Sequence, residues 1–262
     1  MGYRFLLASV LLFDYCRRRG LALRFRFKQH IDFALLGAAM FSVGNILVYY
    51  AETYIVSGMV AVGFSLSPMI NMLAARLFFH TRMTLRVALA AVFGVAGIVC
   101  VFWPEFGSLS VSRNAELGAL LTVLAVFASA AGNMVATRNQ KLGYATWSSM
   151  AWSMLYGGAM ALAIGAAMGR PLGFLPSASY LLALLYLSLF GSIITFGCYL
   201  TLIGRIGAAR TAYIGVMAPI LALALSFCFE KFAWTWLTTL GVALSVMGNI
   251  VMLRPARKLA TL

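Results

Sequence analysis

Apolar positions in this chain neither alternate nor keep to one helical face; they run on without interruption. Residues 117–137, 145–168 and 179–203 contain no Asp, Glu, Lys or Arg, and neither do 55–75, 87–103, 211–229 and 232–253. The run 31–50 joins them with Asp32 at its edge, and 5–13 is apolar but short. Crossing a hydrocarbon core of roughly 30 Å takes about 20 apolar residues. Backbone groups in lipid must bond within their own segment, so such runs form helices and not open strands. The pattern predicts an all-α, polytopic membrane helix bundle of about nine transmembrane helices. The connections at 50–56, 80–86 and 204–210 are short, so consecutive helices pack as antiparallel neighbours.

Composition sharpens this reading. Of 262 residues, 63% are apolar and 10% charged, against about 25% charged in soluble domains. The net charge of +14 would suit nucleic acid, but its placement does not. Lys and Arg in membrane proteins gather in cytoplasmic loops. Nine helices divide the loops into two alternating sets, and sixteen of the twenty basic residues fall in one of them. That set, from Arg17 through Arg138 to Lys258, is expected inside. The C-terminus is then cytoplasmic and the N-terminus outside, in a multi-pass protein of the bacterial inner membrane. A half-length first run starting outside leads us to expect a further helix upstream, with Met1 an internal start. The four cysteines, Cys16, Cys100, Cys198 and Cys228, follow no metal or redox spacing and read as small packing residues. His30 and His80 fall at helix ends, outside any ligand cluster. We expect no metal and no cofactor.

An internal repeat is legible. Pro68 and Pro219 lie 151 residues apart, and Gly97 with Gly248 and Ala90 with Gly241 share that offset. The unit holds about five helices, an odd number, so two copies must sit in opposite orientations. Such inverted repeats mark transporters, whose halves rock about a shared site. The expected division is a first repeat over 1–103, an outer connecting loop over 104–116 and a second repeat over 117–262.

These stretches resemble a known family. "SGMVAVGFSLSPMINMLAARLFFHTRMTLRVALAAVFGVAGIV" (57–99) is similar to the end of the first half of an EamA-type transporter of the drug/metabolite transporter superfamily. "GRIGAARTAYIGVMAPILALALSFCFEKFAWTWLTTLGVALSVMGNIVML" (204–253) resembles the matching part of the second half. "YRFLLASVLL" (3–12) looks like the family's second helix and "AWSMLYGG" (151–158) its seventh. The family's first helix has no counterpart. Thr81, followed by Arg82-Met83-Thr84, stands where the first repeat usually has Glu, and Glu230 lies two residues short of the repeat offset. The resemblance implies a secondary transporter, with export the expected direction, of small metabolites, amino acids or drugs.

Candidate site residues are polar or helix-breaking groups inside apolar runs. Pro68 and Pro219 each remove a backbone hydrogen bond and free a carbonyl; the alternative is a packing kink. Asn45, Asn71 and Asn133 carry amides that need partners in hydrocarbon, either in a cavity or across a helix pair. Tyr49, Trp152 and Tyr199 could stack on a substrate, while Trp103, Trp147, Trp234 and Trp236 read as interfacial anchors. Glu52, within "YYAETYI", is the proton-coupling candidate; its solvated alternative is favoured by its position at a loop. Gly37, Gly94, Gly97, Gly157, Gly158, Gly241 and Gly248 read as close-packing positions.

Two other classes compete with transport. A membrane-embedded enzyme finds no H-E-x-x-H, and "GFSLS" (63–67) lacks the second glycine of a nucleophile elbow. No phosphate loop is present, which argues against ATP hydrolysis. A structural or accessory membrane subunit stays open as the alternative to a transporter. The expected partners are a small-molecule substrate and the lipid bilayer, not nucleic acid; a homodimer is left open.

Overall fold

The computed structural model describes residues 1–55, 66–80, 113–169, 177–212 and 236–253, with scattered positions in 60–64 and 88–100 and residues 173 and 214. Every regular element among them is helical. α1 spans Gly2–Arg18, α2 Phe27–Ala51, α3 Ser67–Phe79, α4 Arg113–Lys141, α5 Thr146–Ala167, α6 Ala178–Ile206, α7 Ala208–Thr211 and α8 Trp236–Leu253. Four of these carry the length and apolar character of a membrane span: α2, α5, α6 and α4 from Glu116 onward. The molecule is a helical membrane bundle. Much of the expected nine-helix set, including most of 211–229, lies outside the described residues.

Local chemistry sets the helix ends. Gln29 Oε1 accepts a 2.7 Å bond from the Arg26 N–H and caps the start of α2. Ser177 Oγ accepts from the Tyr180 N–H at 3.2 Å and caps α6. α4 ends where Gly143 adopts φ +81°, which lets the Tyr144 N–H return to the Asn139 carbonyl. α1 outruns the short apolar stretch 5–13 because Arg17 and Arg18 occupy its last turn, where helix-end carbonyls favour cations.

α1 packs along α5, and α2 packs on both α4 and α5. Between α1 and α5, Ser9 Oγ donates to the Ala151 carbonyl at 2.8 Å. Glycine brings α2 onto α5: a methyl at Gly37 would overlap the Ser153 carbonyl oxygen, and one at Gly157 would come within 2.7 Å of the Gly37 oxygen. Phe5, Phe41 and Phe196 fill the neighbouring space with ring centroids 4.9–6.3 Å apart. On α6, Leu181, Leu182, Leu185, Tyr186 and Phe190 point outward, as lipid-facing residues do.

Two of the long helices contain a wide turn. Gly37–Val43 in α2 and Leu189–Ile194 in α6 are π-helical. Such turns leave carbonyls for side chains to claim. Asn45 Nδ2 donates to Met40 O at 2.7 Å, and Thr195 Oγ1 to Phe190 O at 2.7 Å, each five residues back. The first residues of the two segments are 152 positions apart and the last 151, the offset of the sequence repeat.

Candidate functional site

A cavity of about 270 Å³ opens between α2, the region leading into α3, α4, α6 and the residues following α7. Its apolar wall includes Met40, Val48, Phe64 and Phe196, and its polar groups include Asn45, Ser67, Ser129, Thr195 and Tyr199. Pairs at the sequence offset face it together: Gly44 with Thr195, Asn45 with Phe196 and Val48 with Tyr199 are each 151 residues apart. The two π-helical segments turn these positions to the same space.

Behind that wall lies a buried amide pair. Asn133 Nδ2 donates to Asn71 Oδ1 at 2.9 Å, and Asn71 Nδ2 donates to the Ser67 carbonyl at 2.8 Å. Both side chains are inaccessible, Asn71 at 0% and Asn133 at 1%. The Tyr199 hydroxyl lies beside Asn133. The amide pair thus ties α4 to the backbone of Ser67, which lines the cavity.

The structure therefore gathers Asn45 and Tyr199 at the cavity, with Asn71 and Asn133 one layer behind. The other candidates lie elsewhere. Pro68 does not interrupt the middle of a helix; it stands in the first turn of α3, where a missing N–H costs nothing. A turn at Leu66 precedes it, so the break falls just before the proline. Trp152 does not face the cavity. Its Nε1 donates to the Leu23 carbonyl at 3.2 Å, and its ring packs on Phe13 and His30, whose Nδ1 lies 2.9 Å from the Tyr156 hydroxyl. Tyr49 is 49% exposed and sits beyond the lining residue Val48. Glu52 is exposed just past the end of α2, the solvated of its two readings. Cys198 is exposed on α6 instead of packed, while Cys16 is buried. Pro219, Glu230 and Cys228 lie outside the described residues.

Sequence reasoning missed Ser67, Ser129, Thr195, Phe64 and Phe196. Single hydroxyls and phenylalanines in apolar runs carry no signal of their own. The repeat offset was the available signal for Thr195 and Phe196, since it projects the neighbourhood of Asn45 onto them.

A helical membrane bundle around a cavity edged with hydroxyls and one amide has the architecture of a solute transporter. The chain belongs to the EamA-like transporter family, which matches residues 1–103 and 116–254. It is similar to the uncharacterized inner membrane transporter YedA of Escherichia coli (strain K12), with 32% identity over 227 residues covering 86% of this chain and 71% of that one. It is also similar to Protein PecM of Dickeya dadantii (strain 3937), with 25% identity over 196 residues covering 74% of this chain and 64% of PecM. A solved protein crystal structure shares the fold at a TM-score of 0.78 and 18% identity, covering 98% of this chain and 88% of the other. The protein is a multi-pass membrane transporter, a role that needs a small-molecule substrate and a lipid bilayer.

Proposed function

We propose that the chain is a secondary transporter that exports small metabolites, amino acids or drugs by alternating access. One observation carries the reading: a cavity lined by pairs of residues that stand 151 positions apart, the offset of the sequence repeat. Two inverted repeats sharing one site can expose it to either side by rocking, without a fuel molecule. The volume, about 270 Å³, lies just below the roughly 300–1,000 Å³ of drug-sized pockets, which suits a small solute.

In this mechanism Phe64, Phe196 and Met40 hold the apolar part of the solute. Asn45, Ser67, Thr195 and Tyr199 supply hydrogen bonds that replace its lost water. Asn133 and Asn71 brace the start of α3, so they are positioning residues. The basic loops and the C-terminus face the cytoplasm, by the sixteen-to-four asymmetry of Lys and Arg. Residues 1–103 and 117–262 act as the two moving halves, with 104–116 as their outer connection.

The test is flux through purified protein in vesicles carrying an imposed pH gradient, screened against amino acids and cationic and neutral drugs. Ser129→Phe fills the cavity from α4. The reading expects flux of at least one solute, lost in Ser129→Phe while the protein still inserts. Flux that survives Ser129→Phe removes this cavity from the pathway, and absence of any flux favours an accessory subunit.

A further inference from the structure

The last turn of α4 has no role in the cavity, yet its four consecutive side chains reach four different surroundings. Arg138 Nη1 meets Asp32 Oδ1 on α2 at 3.3 Å. Gln140 Nε2 donates to the Leu200 carbonyl on α6 at 2.6 Å. Lys141 Nζ stands 3.9 Å above the Phe79 ring at the end of α3. Asn139, 1% exposed, points into a seam between α2, α4, α5 and α6. Tyr144, just past the turn, donates its hydroxyl to Asp32 Oδ2 at 3.3 Å and ties the connection to α5 into the same knot.

The position of these contacts gives them meaning. Ser129 lines the cavity, and Arg138–Lys141 follow nine to twelve residues later, about 14–18 Å along the helix. The other three cavity helices show the same order. Going toward the end that carries the basic loops, α2 passes from Asn45 to Asp32, α3 from Ser67 to Phe79 and α6 from Thr195 to Leu200. α2, α3 and α6 therefore each reach the last turn of α4 before the basic end of the bundle.

The centre of the knot is polar and unpaired by protein. Asn139 Nδ2, Asn139 Oδ1 and Gln140 Oε1 are buried with no hydrogen-bond partner. They border a cavity of about 10 Å³ also lined by Thr146 and Ser149. That is the size of one water, which needs two to four polar partners. The presence of an unpaired amide N–H beside the carbonyl oxygens favours water, which both donates and accepts, over a sodium ion, which only takes oxygen ligands.

We propose that the last turn of α4 is the gate that closes the transport cavity toward the basic end, sealed at its centre by one internal water. This rests on the alternating-access reading above. The gate opens when the Arg138–Asp32, Gln140–Leu200 and Lys141–Phe79 contacts part together, which admits bulk water to the seam.

The test uses full-length protein with its four cysteines replaced by alanine and Thr195→Cys introduced on the cavity wall. A membrane-impermeant maleimide is applied to each face separately, in right-side-out and inverted vesicles. Arg138→Gln and Lys141→Gln, both at partly exposed side chains, should each speed labelling from the basic face by about fivefold, as expected for loss of one modest ionic or cation–π contact. The double exchange Asp32→Arg with Arg138→Asp should return the rate toward the parent's, which a merely structural defect would not do. Unchanged rates from the basic face, with Thr195→Cys still reachable from some face, overturn the gate and leave the transporter reading standing. A Thr195→Cys that reacts from neither face in any variant overturns both. Equal rates in sodium, potassium and choline chloride support water at the seam; slowing by sodium alone places a cation there and overturns that assignment.

Discussion

Gly37→Ala offers the sharpest test of how the bundle is held together. The new methyl would overlap the Ser153 carbonyl oxygen and lie 2.9 Å from the Gly157 nitrogen. Non-bonded heavy atoms prefer about 3.5–4.0 Å, so α2 and α5 must separate by a good fraction of an ångström. Both obstacles are backbone atoms, which cannot swing aside as a side-chain end can. Alanine gains up to about 1 kcal/mol in helix propensity over glycine, while overpacking typically costs about 1–3 kcal/mol. The balance here falls on the cost, because the separation also disturbs Phe41 against Gly157. We expect a net loss of about 1–2 kcal/mol, or roughly 2–4 °C of melting temperature per kcal/mol on the scale of chains of this length. The assay is thermal unfolding of the purified protein in one detergent. Gly191→Ala is the internal control, since it stands in the other π-helical segment and, among the described residues, a methyl there meets only Leu187 Cδ2 at 3.7 Å. It should be neutral or stabilising by up to about 1 kcal/mol. A Gly37→Ala protein that melts with the parent, or a Gly191→Ala protein that falls as far, would refute the close-approach argument.

Further outcomes follow from the same geometry. Asn133→Leu should destabilise by about 1–3 kcal/mol because it strands the buried Asn71 carbonyl oxygen; the double variant with Asn71→Leu should cost less than the two singles combined, measured by the same melts. Glu52→Gln should leave pH-driven flux unchanged, since the carboxylate is exposed beyond the end of α2; a clear loss of flux would reinstate it as the proton carrier. Reporter fusions after Arg19, Arg113 and Arg257 should read inside, outside and inside, and an inside signal at Arg113 would invert the proposed topology.

What the sequence determined by itself was the solvent and the secondary structure. Charge-free runs of about 20 residues can satisfy their backbone in lipid in one way only, so helices in a membrane were legible without any tertiary information. The repeat offset was legible too, because equivalent positions keep their spacing whatever they contact. Tertiary structure decided which face of each helix meets a neighbour, a cavity or lipid. In helices apolar all round, periodicity carries little of that information. Trp152 and Tyr199 looked alike along the chain, yet one ring packs with His30 and the other borders the cavity. Thr195 looked like any hydroxyl until a π-helical turn placed it opposite Gly44. The turn depends on how α6 settles against its neighbours. Asn71 and Asn133 are 62 residues apart and became one feature when α3 and α4 met. A buried amide announces that it needs a partner, and only the packed bundle supplies one.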